Sequence, residues 1–449
     1  MQDSYKKKLI SLGAEALTDA LLELTKTSET ALDQVERMVS EPEENIQRFK
    51  KELSSIKRSQ YYYKWDETEY FARKLGGLLE DLKAGVKDPD TGLELITLFY
   101  KADGKIMDQC DDSDGIIGDI FVYCAKELFI EYAKACEDKE KVAGVILKLC
   151  KDDSYGVRTG LIDGASQCLP EELIREMIRK FQEAAKYEED EFSRRNNLTL
   201  IESLARQIKD AELYKKTRLE SFAERPAAAY IDIARVYFES GDANTALSWI
   251  EKIPEGERFR RYESEHLLID IYKELGYRDK LEKILYDIFR SHHSVETLQE
   301  LLDVIGDDKR DEVVSSEVMS IISSEKLDLD DAEFLISIDK IYEAEKYIIK
   351  RAGQLDGDHY TSLIPLAKTM ADAGHMLAAS IIYRSLLCSI LDRGYSKAYY
   401  YAVDYLKRLD RMAVMVLDWK GFEDHETFKQ GIYNDHKRKR SFWGSYEDK

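Results

Sequence analysis

Proline is scarce in this chain, at six residues in 449, against an average of about 5%. Few breakers leave room for long helices. Pro42, Pro226 and Pro365 fall where first turns are expected, and a first turn has no use for the missing N–H. No run of 18 apolar residues occurs, so no membrane span is expected. The apolar stretch after Lys6, Lys7 and Lys8 is interrupted by Glu15 and Asp19, which reads as a helix face and not a signal peptide. The six cysteines (110, 124, 136, 150, 168 and 388) include no C-x-x-C pair, which fits scattered core thiols in a reducing cytoplasm. Cations are outnumbered, 67 Lys and Arg against 88 Asp and Glu, for a net charge of −21. Such a surface repels nucleic acid and anionic membrane.

Catalytic signatures are missing as well. There is no G-x-x-x-x-G-K-[ST], no G-x-G-x-x-G, no H-E-x-x-H and no G-x-S-x-G. The sequence therefore designates no catalytic residue, no cofactor and no metal ligand.

What is present is helical patterning. Apolar residues make up 44% and charged residues 35%, which suits amphipathic helices. The clearest unit runs from Pro226 to Pro254. Tyr230, Ile233, Ala234 and Tyr237 form one stripe, Gly241 stands at a C-cap position, and Asp242 can cap a second helix carrying Ala246, Ile250 and Ile253. Small Ala234 and Ala246 allow close approach. A second copy reads Leu268, Ile269, Tyr272, Gly276, Leu281, Leu285 and Ile288, with Gly276 following Gly241 by 35 residues. A third reads Leu363, Leu366, Ala367, Met370, Gly374, Ala379, Tyr383 and Leu386. That period predicts an all-α fold, an α-solenoid of antiparallel tetratricopeptide-like hairpins, with more than about 60% helix against the usual third.

In chain order, helices are expected over 4–25, 29–39, 41–58 (capping box Ser40 and Glu43), from Asp66 with Glu69, and near 91–102, 116–135, 138–151 and 170–186. Residues 295–355 carry a weaker repeat signal, and 420–449 reads as a mostly irregular tail. The expected organisation is N-terminal helices over 1–60, a helical region over 61–222, repeats over 223–410, and a capping segment with a basic-aromatic tail over 411–449.

Four stretches imitate chemical sites. Asp111 to Asp119 resembles a calcium loop, but with Gly115 sixth, Cys110 and Phe121 take positions that need acids. Asp112 or Ser113 as a helix cap explains it better. Asp90, Asp103 and Lys105 imitate a nuclease pattern that would hold magnesium, yet that site needs a β-hairpin where helix is expected. His292, His293 and Glu296 could ligate a metal, while Ser294 as an N-cap explains them; His425 stands alone beside Asp424 and Glu426. The stretch Arg48 to Trp65 combines cations with Tyr61, Tyr62, Tyr63 and Trp65, as single-strand binding requires. A helix end packing its aromatics is the competing reading.

The blocks Leu12 to Leu17, Asp111 to Asp119, Ser396 to Tyr399 and Arg438 to Trp443 stand in an order that resembles a bacterial family catalogued as a domain of unknown function. The resemblance covers nearly the whole chain and implies an all-helical repeat fold. Similar helical segments occur in some SWIM-type zinc-finger proteins, but the zinc module, C-x-C followed by C-x-H, is absent here.

These observations add up to a cytoplasmic, non-catalytic scaffold that binds an unidentified protein or peptide, with Tyr230, Tyr237 and Tyr272 as candidate contacts. The alternative is a nucleic-acid-associated protein using Lys57, Arg58, Tyr62, Trp65, Arg438, Lys439 and Arg440, which the net charge disfavours; a metal-dependent nuclease comes third. In the tail, Phe442 and Trp443 are expected to fold back near Tyr399 to Tyr405, with Lys437 to Arg440 lying over carboxylates.

Overall fold

A computed structural model describes residues 2–151, 153–222, 226–254 and 256–447. The chain is 78% helix. Among the described residues there is no strand, only one isolated parallel bridge between Tyr63 and Cys110. Two compact units divide it, Met1–Ser264 and Glu265–Lys449, with the boundary inside the helix Arg261–Leu275. The boundary expected at 223 lies on residues 223–225, outside the described residues.

In the first unit one apolar core runs from Ile46 to Leu204. Phe49, Phe71, Phe99, Tyr100, Phe121 and Phe129 are wholly buried in it. The helix Pro89–Tyr100 packs closely on Lys126–Ala135, because Gly92 meets the Tyr132 ring there; a Cβ would fall 2.3 Å from that ring. The expected helix over 116–135 contains a π-helical stretch, Ile120–Ala125. There the buried Tyr100 hydroxyl donates to the Phe121 carbonyl at 2.8 Å. A wider turn leaves such a carbonyl free to accept from a side chain.

Five helix pairs follow a common rule at their reversals. Lys209, Gly241, Gly276, Asp339 and Gly374 all have positive φ, between 56° and 89°. After each, the next N–H reaches back five residues: Asp210 to Ala205, Asp242 to Tyr237, Tyr277 to Tyr272, Lys340 to Leu335 and His375 to Met370, at 2.8–2.9 Å. This is the Schellman bond, which satisfies a carbonyl the helix end would strand. The turns are 32, 35, 63 and 35 residues apart, and Gly306, also at positive φ, divides the 63 into 30 and 33. Asp242 caps the helix Ala243–Ile250 by accepting from Thr245 N–H. In the second unit, Leu329–Ser337 packs on Tyr360–Asp372, and Ile341–Lys350 on Met376–Arg393, so like helices of neighbouring pairs meet.

Several expectations need correction. The helix expected over 4–25 breaks at Gly13, with φ 84° and ψ 161°, into Gln2–Leu12 and Ala14–Thr25. Leu9, Leu12, Leu21, Leu22 and Leu24 are exposed, and Leu17 is half-buried. The capping box sits one residue later than expected: Glu44 accepts from Glu41 N–H, while Ser40 Oγ donates to the preceding Glu36 carbonyl. Asp66 gives way to Glu67, which accepts from Lys64 N–H at a short 3-10 turn, Trp65–Glu67. Pro365 lies in the second turn of Tyr360–Asp372, not the first. The tail is not irregular. It forms the helices His425–His436 and Arg440–Glu447.

The turn geometry gives a direct test. Ala234 and Ala246 are fully buried, so Ala234→Trp is expected to cost about 1–3 kcal/mol through overpacking. Nothing crowds a Cβ at Gly241, so Gly241→Val isolates the backbone cost of positive φ, about 1 kcal/mol or more. Thermal melts check both, and two unchanged melting temperatures would contradict this packing.

Candidate functional site

The basic-aromatic stretch is built from the end of the helix Pro42–Arg58. Buried Gln109 holds the following segment by donating to the carbonyls of Ile56 and Ser59, each at 3.0 Å. Tyr63 then pairs its backbone with Gln109 and Asp111, and its ring stacks on Phe71 at 4.1 Å. The Tyr61 hydroxyl donates to Glu67, and that bond pulls the Glu67 carboxyl below its ordinary range. Trp65 is 61% exposed and donates its indole N–H to Asp114 at 2.7 Å. Tyr62, Lys57 and Arg58 are exposed, with Arg58 Nε bonded to the Ser54 carbonyl. Arg48 is spent: with Arg37 it clamps buried Asp81 at 2.8–2.9 Å, on the wall of a cleft of about 840 Å³. Lys74 in that cleft pairs with Glu52.

The candidate tyrosines differ among themselves. Tyr230 is half-buried beside Trp249, whose ring also carries Lys252. Tyr237 is buried, and its hydroxyl donates to Glu212, so it serves packing. Tyr272 is half-buried near Tyr277, under Lys280.

The look-alike motifs resolve into structural bonds. Asp112 accepts from the N–H groups of Ile117 and Gly118, which is the expected cap. Asp90 pairs with Lys141, and buried Asp103 with Arg158; helices occupy the stretch where a nuclease needs a hairpin. Ser294 caps the helix Val295–Ile305. His293 Nδ1 lies 2.6 Å from Asp331.

A match over residues 4–445 was found to a family of unknown function, DUF6880. The chain belongs to that family. No curated protein matches it. The segments 111–119 and 438–443 lie within the matched range and hold a helix cap and part of a docked tail. Among the described residues, no helix is long and apolar enough to cross a membrane.

The tail docks through Asp410 on the helix Tyr399–Ala413. That carboxylate meets His425 Nε2 at 2.8 Å and accepts from Lys429 at 2.9 Å and from the Tyr446 hydroxyl. Burial pushes its pKa up, but the hydrogen bonds from His425, Tyr446 and Lys429 outweigh this and hold it below the ordinary value. Phe442 is fully buried, edge-on to Tyr399 at 6.0 Å, and the Trp443 indole donates to the His436 carbonyl at 3.0 Å. The cations differ from expectation. Lys437, Arg438, Lys439 and Arg440 make no ion pair among the described residues, and all but Lys439 are exposed.

One group was not singled out by sequence. Arg384, inside Met376–Arg393, is 9% exposed and borders a cavity of about 660 Å³ walled by Leu355, Gly357, Ile381, Cys388 and Phe422. Its guanidinium lies 4.4 Å from the Trp419 ring and 4.3 Å from Phe428. Nη1 donates to the Glu423 carbonyl at 2.8 Å, while buried Nε and Nη2 find no acceptor among the described residues. Burial pushes the guanidinium down to about 10. Its partners lie 35 to 44 residues away in a stretch read as irregular, so no local spacing betrays them.

Removing the tail after Asp435 is expected to lower the melting temperature or cause aggregation. Asp410→Asn should cost about 1–3 kcal/mol at pH 7 by weakening charge-assisted bonds. A carboxylate held below its unfolded value of about 3.9 gives stability that is present above that value and lost as pH falls through the folded one. The Asp410→Asn penalty should therefore shrink in melts below about pH 4. A pH-independent penalty would contradict the hub role of Asp410.

Proposed function

We propose that this chain is a non-catalytic, tetratricopeptide-like helical-repeat scaffold, located in the cytoplasm, that binds a protein or peptide partner. The observation that carries this reading is the recurrence of one turn bond, reaching back five residues, at Lys209, Gly241, Gly276, Asp339 and Gly374. Intervals near 33 residues suit the tetratricopeptide period of 34. Repeats of this kind present rows of first helices, and such rows suit extended peptides or partner helices. Tyr230 and Tyr272, both half-buried, are the contact candidates. Tyr237 drops out because its ring is buried.

A second reading rests on one observation. The cations Lys437, Arg438 and Arg440 are exposed and unpaired among the described residues, beside a docked aromatic pair. An arm of this sort suits phosphates.

The full chain and a Tyr230→Ala, Tyr272→Ala variant, both checked for folding by melts, should be compared in affinity capture with mass spectrometry. The scaffold reading expects a defined partner retained by the first and weakened at least about tenfold with the second, equivalent to 1.4 kcal/mol. A partner held equally by both removes these tyrosines from the interface. Retention of nucleic acid that falls steeply with salt, and that is lost in a Lys437→Ala, Arg438→Ala, Arg440→Ala variant, transfers the assignment to the second reading.

A further inference from the structure

Arginine buries poorly without a counter-charge, because its guanidinium keeps its proton and gives up water. The second unit shows how the demand is ordinarily met. Arg351 is 2% exposed, and its nitrogens donate to the carbonyls of Ile321, Ile322, Ser324, Lys326 and Tyr347. It closes the end of the helix Arg310–Ser323 and is complete. Arg384, at 9% exposed, is buried too but lacks the same satisfaction. One nitrogen is bonded to the Glu423 carbonyl, and two are buried without an acceptor. No carboxylate of the described residues lies within ion-pair distance of it.

The remaining edge has a definite shape. Trp419 and Phe428 lie against the guanidinium, and Nη1 is engaged. What is left is the Nε and Nη2 pair, two parallel N–H donors. That edge matches the two oxygens of a carboxylate in a bidentate bond. We propose that the cavity beside Arg384 is a binding site for a singly charged carboxylate, held by Nε and Nη2.

The walls narrow the ligand. Leu355, Ile381 and Phe422 offer apolar surface to its body. Ser385 is already bonded to the Leu355 carbonyl, and Ser389 to Asp358, so neither is waiting for it. Cys388 is no nucleophile at neutral pH, since burial pushes its thiol up to about 11. Asp356 and Asp392 border the same cavity. They oppose a doubly charged phosphate or a polyanion, and one guanidinium cannot neutralise either; a single carboxylate it can. Gly357 sets the wall position: a Cβ there would stand 2.4 Å from the Ser385 carbonyl. The proposal is independent of the scaffold reading, because a small organic acid and the free end of a peptide carry the same group.

The test uses the full chain labelled with 5-fluorotryptophan. Its four tryptophans give four fluorine resonances, and Trp419 is the one against Arg384. Titrants are butyrate, neutral butyramide, inorganic phosphate, and a short apolar peptide with either a free or an amidated C-terminus. The proposal expects a saturable shift of Trp419 with butyrate or with the free-ended peptide, and none with butyramide, the amidated peptide or phosphate. A response to butyrate marks a small acid as the source; a response to the peptide alone marks a chain end. Arg384→Met should weaken binding at least about tenfold, and should melt no lower than the wild type without ligand, since it removes an unpaired cation. Arg384→Lys keeps the charge without the paired donors, folds if the Met variant does not, and should also bind at least about tenfold more weakly. No Trp419 shift with either carboxylate, a response to phosphate alone, or full binding by a folded Arg384 variant overturns the assignment. So does a ligand-free Arg384→Met protein that melts well below the wild type, which would make the guanidinium a structural wedge between two rings.

Discussion

A helix that must be followed at once by its neighbour has to turn the chain in one or two residues. At five reversals of this protein that demand is met by a residue in the left-handed region and a bond reaching back five residues. Everything in the paired helices depends on it. The bond satisfies a carbonyl that would otherwise end in the interior, and it fixes where the second helix starts. Glycine meets the requirement without strain at 241, 276 and 374. Lys209 and Asp339 meet it at a steric cost of about 1–2 kcal/mol each. That cost is offset by the burial that follows: Leu204 and Ala205 before the first turn, and Leu335 and Ala344 around the second, are wholly shut from solvent.

This difference explains what could be read from the sequence. Three reversals carried glycine at a helical C-cap and were legible, with Asp242 following as a cap. The reversals at Lys209 and Asp339 were not, since nothing in a lysine or aspartate announces positive φ. The hairpin before Pro226 therefore reads as helix without a period, and the pairs between 295 and 355 carry only a weaker repeat signal. Gly13 shows the reverse error. An unbroken leucine stripe suggested one helix, and the glycine within it turned out to break the chain. At the C-terminus, Gly431 and Gly444 and a run of charges hid two short helices whose stability comes from docking, through Asp410 and Phe442, and not from local propensity.

Buried carboxylates show a second regularity that sequence could not expose. Asp103 receives Arg158, Asp81 receives Arg37 and Arg48, and Glu202 with Asp232 receives Arg218. In each case the acid and the base lie on different elements, so their pairing cannot be inferred from spacing. Removing one member leaves a buried charge without compensation, which is more damaging than losing the pair's modest net attraction. Such pairs fix which helices may meet. They also explain why Asp103 of the nuclease-like pattern and Arg48 of the basic-aromatic stretch are engaged in holding the fold.

Net charge and local charge act over different distances, and the distinction decides which ligands are plausible for a protein at −21. Exposed charges are screened beyond roughly 8–10 Å at physiological ionic strength. Within that range an extended polyanion meets many carboxylates for each cation it reaches, so its approach is opposed along its length. A single carboxylate is opposed only once, and a guanidinium already stripped of water gains a bond it lacked. The acidic surface and the buried Arg384 are therefore not in conflict. The surface rejects anions by their number of charges, and the cavity accepts one by its geometry.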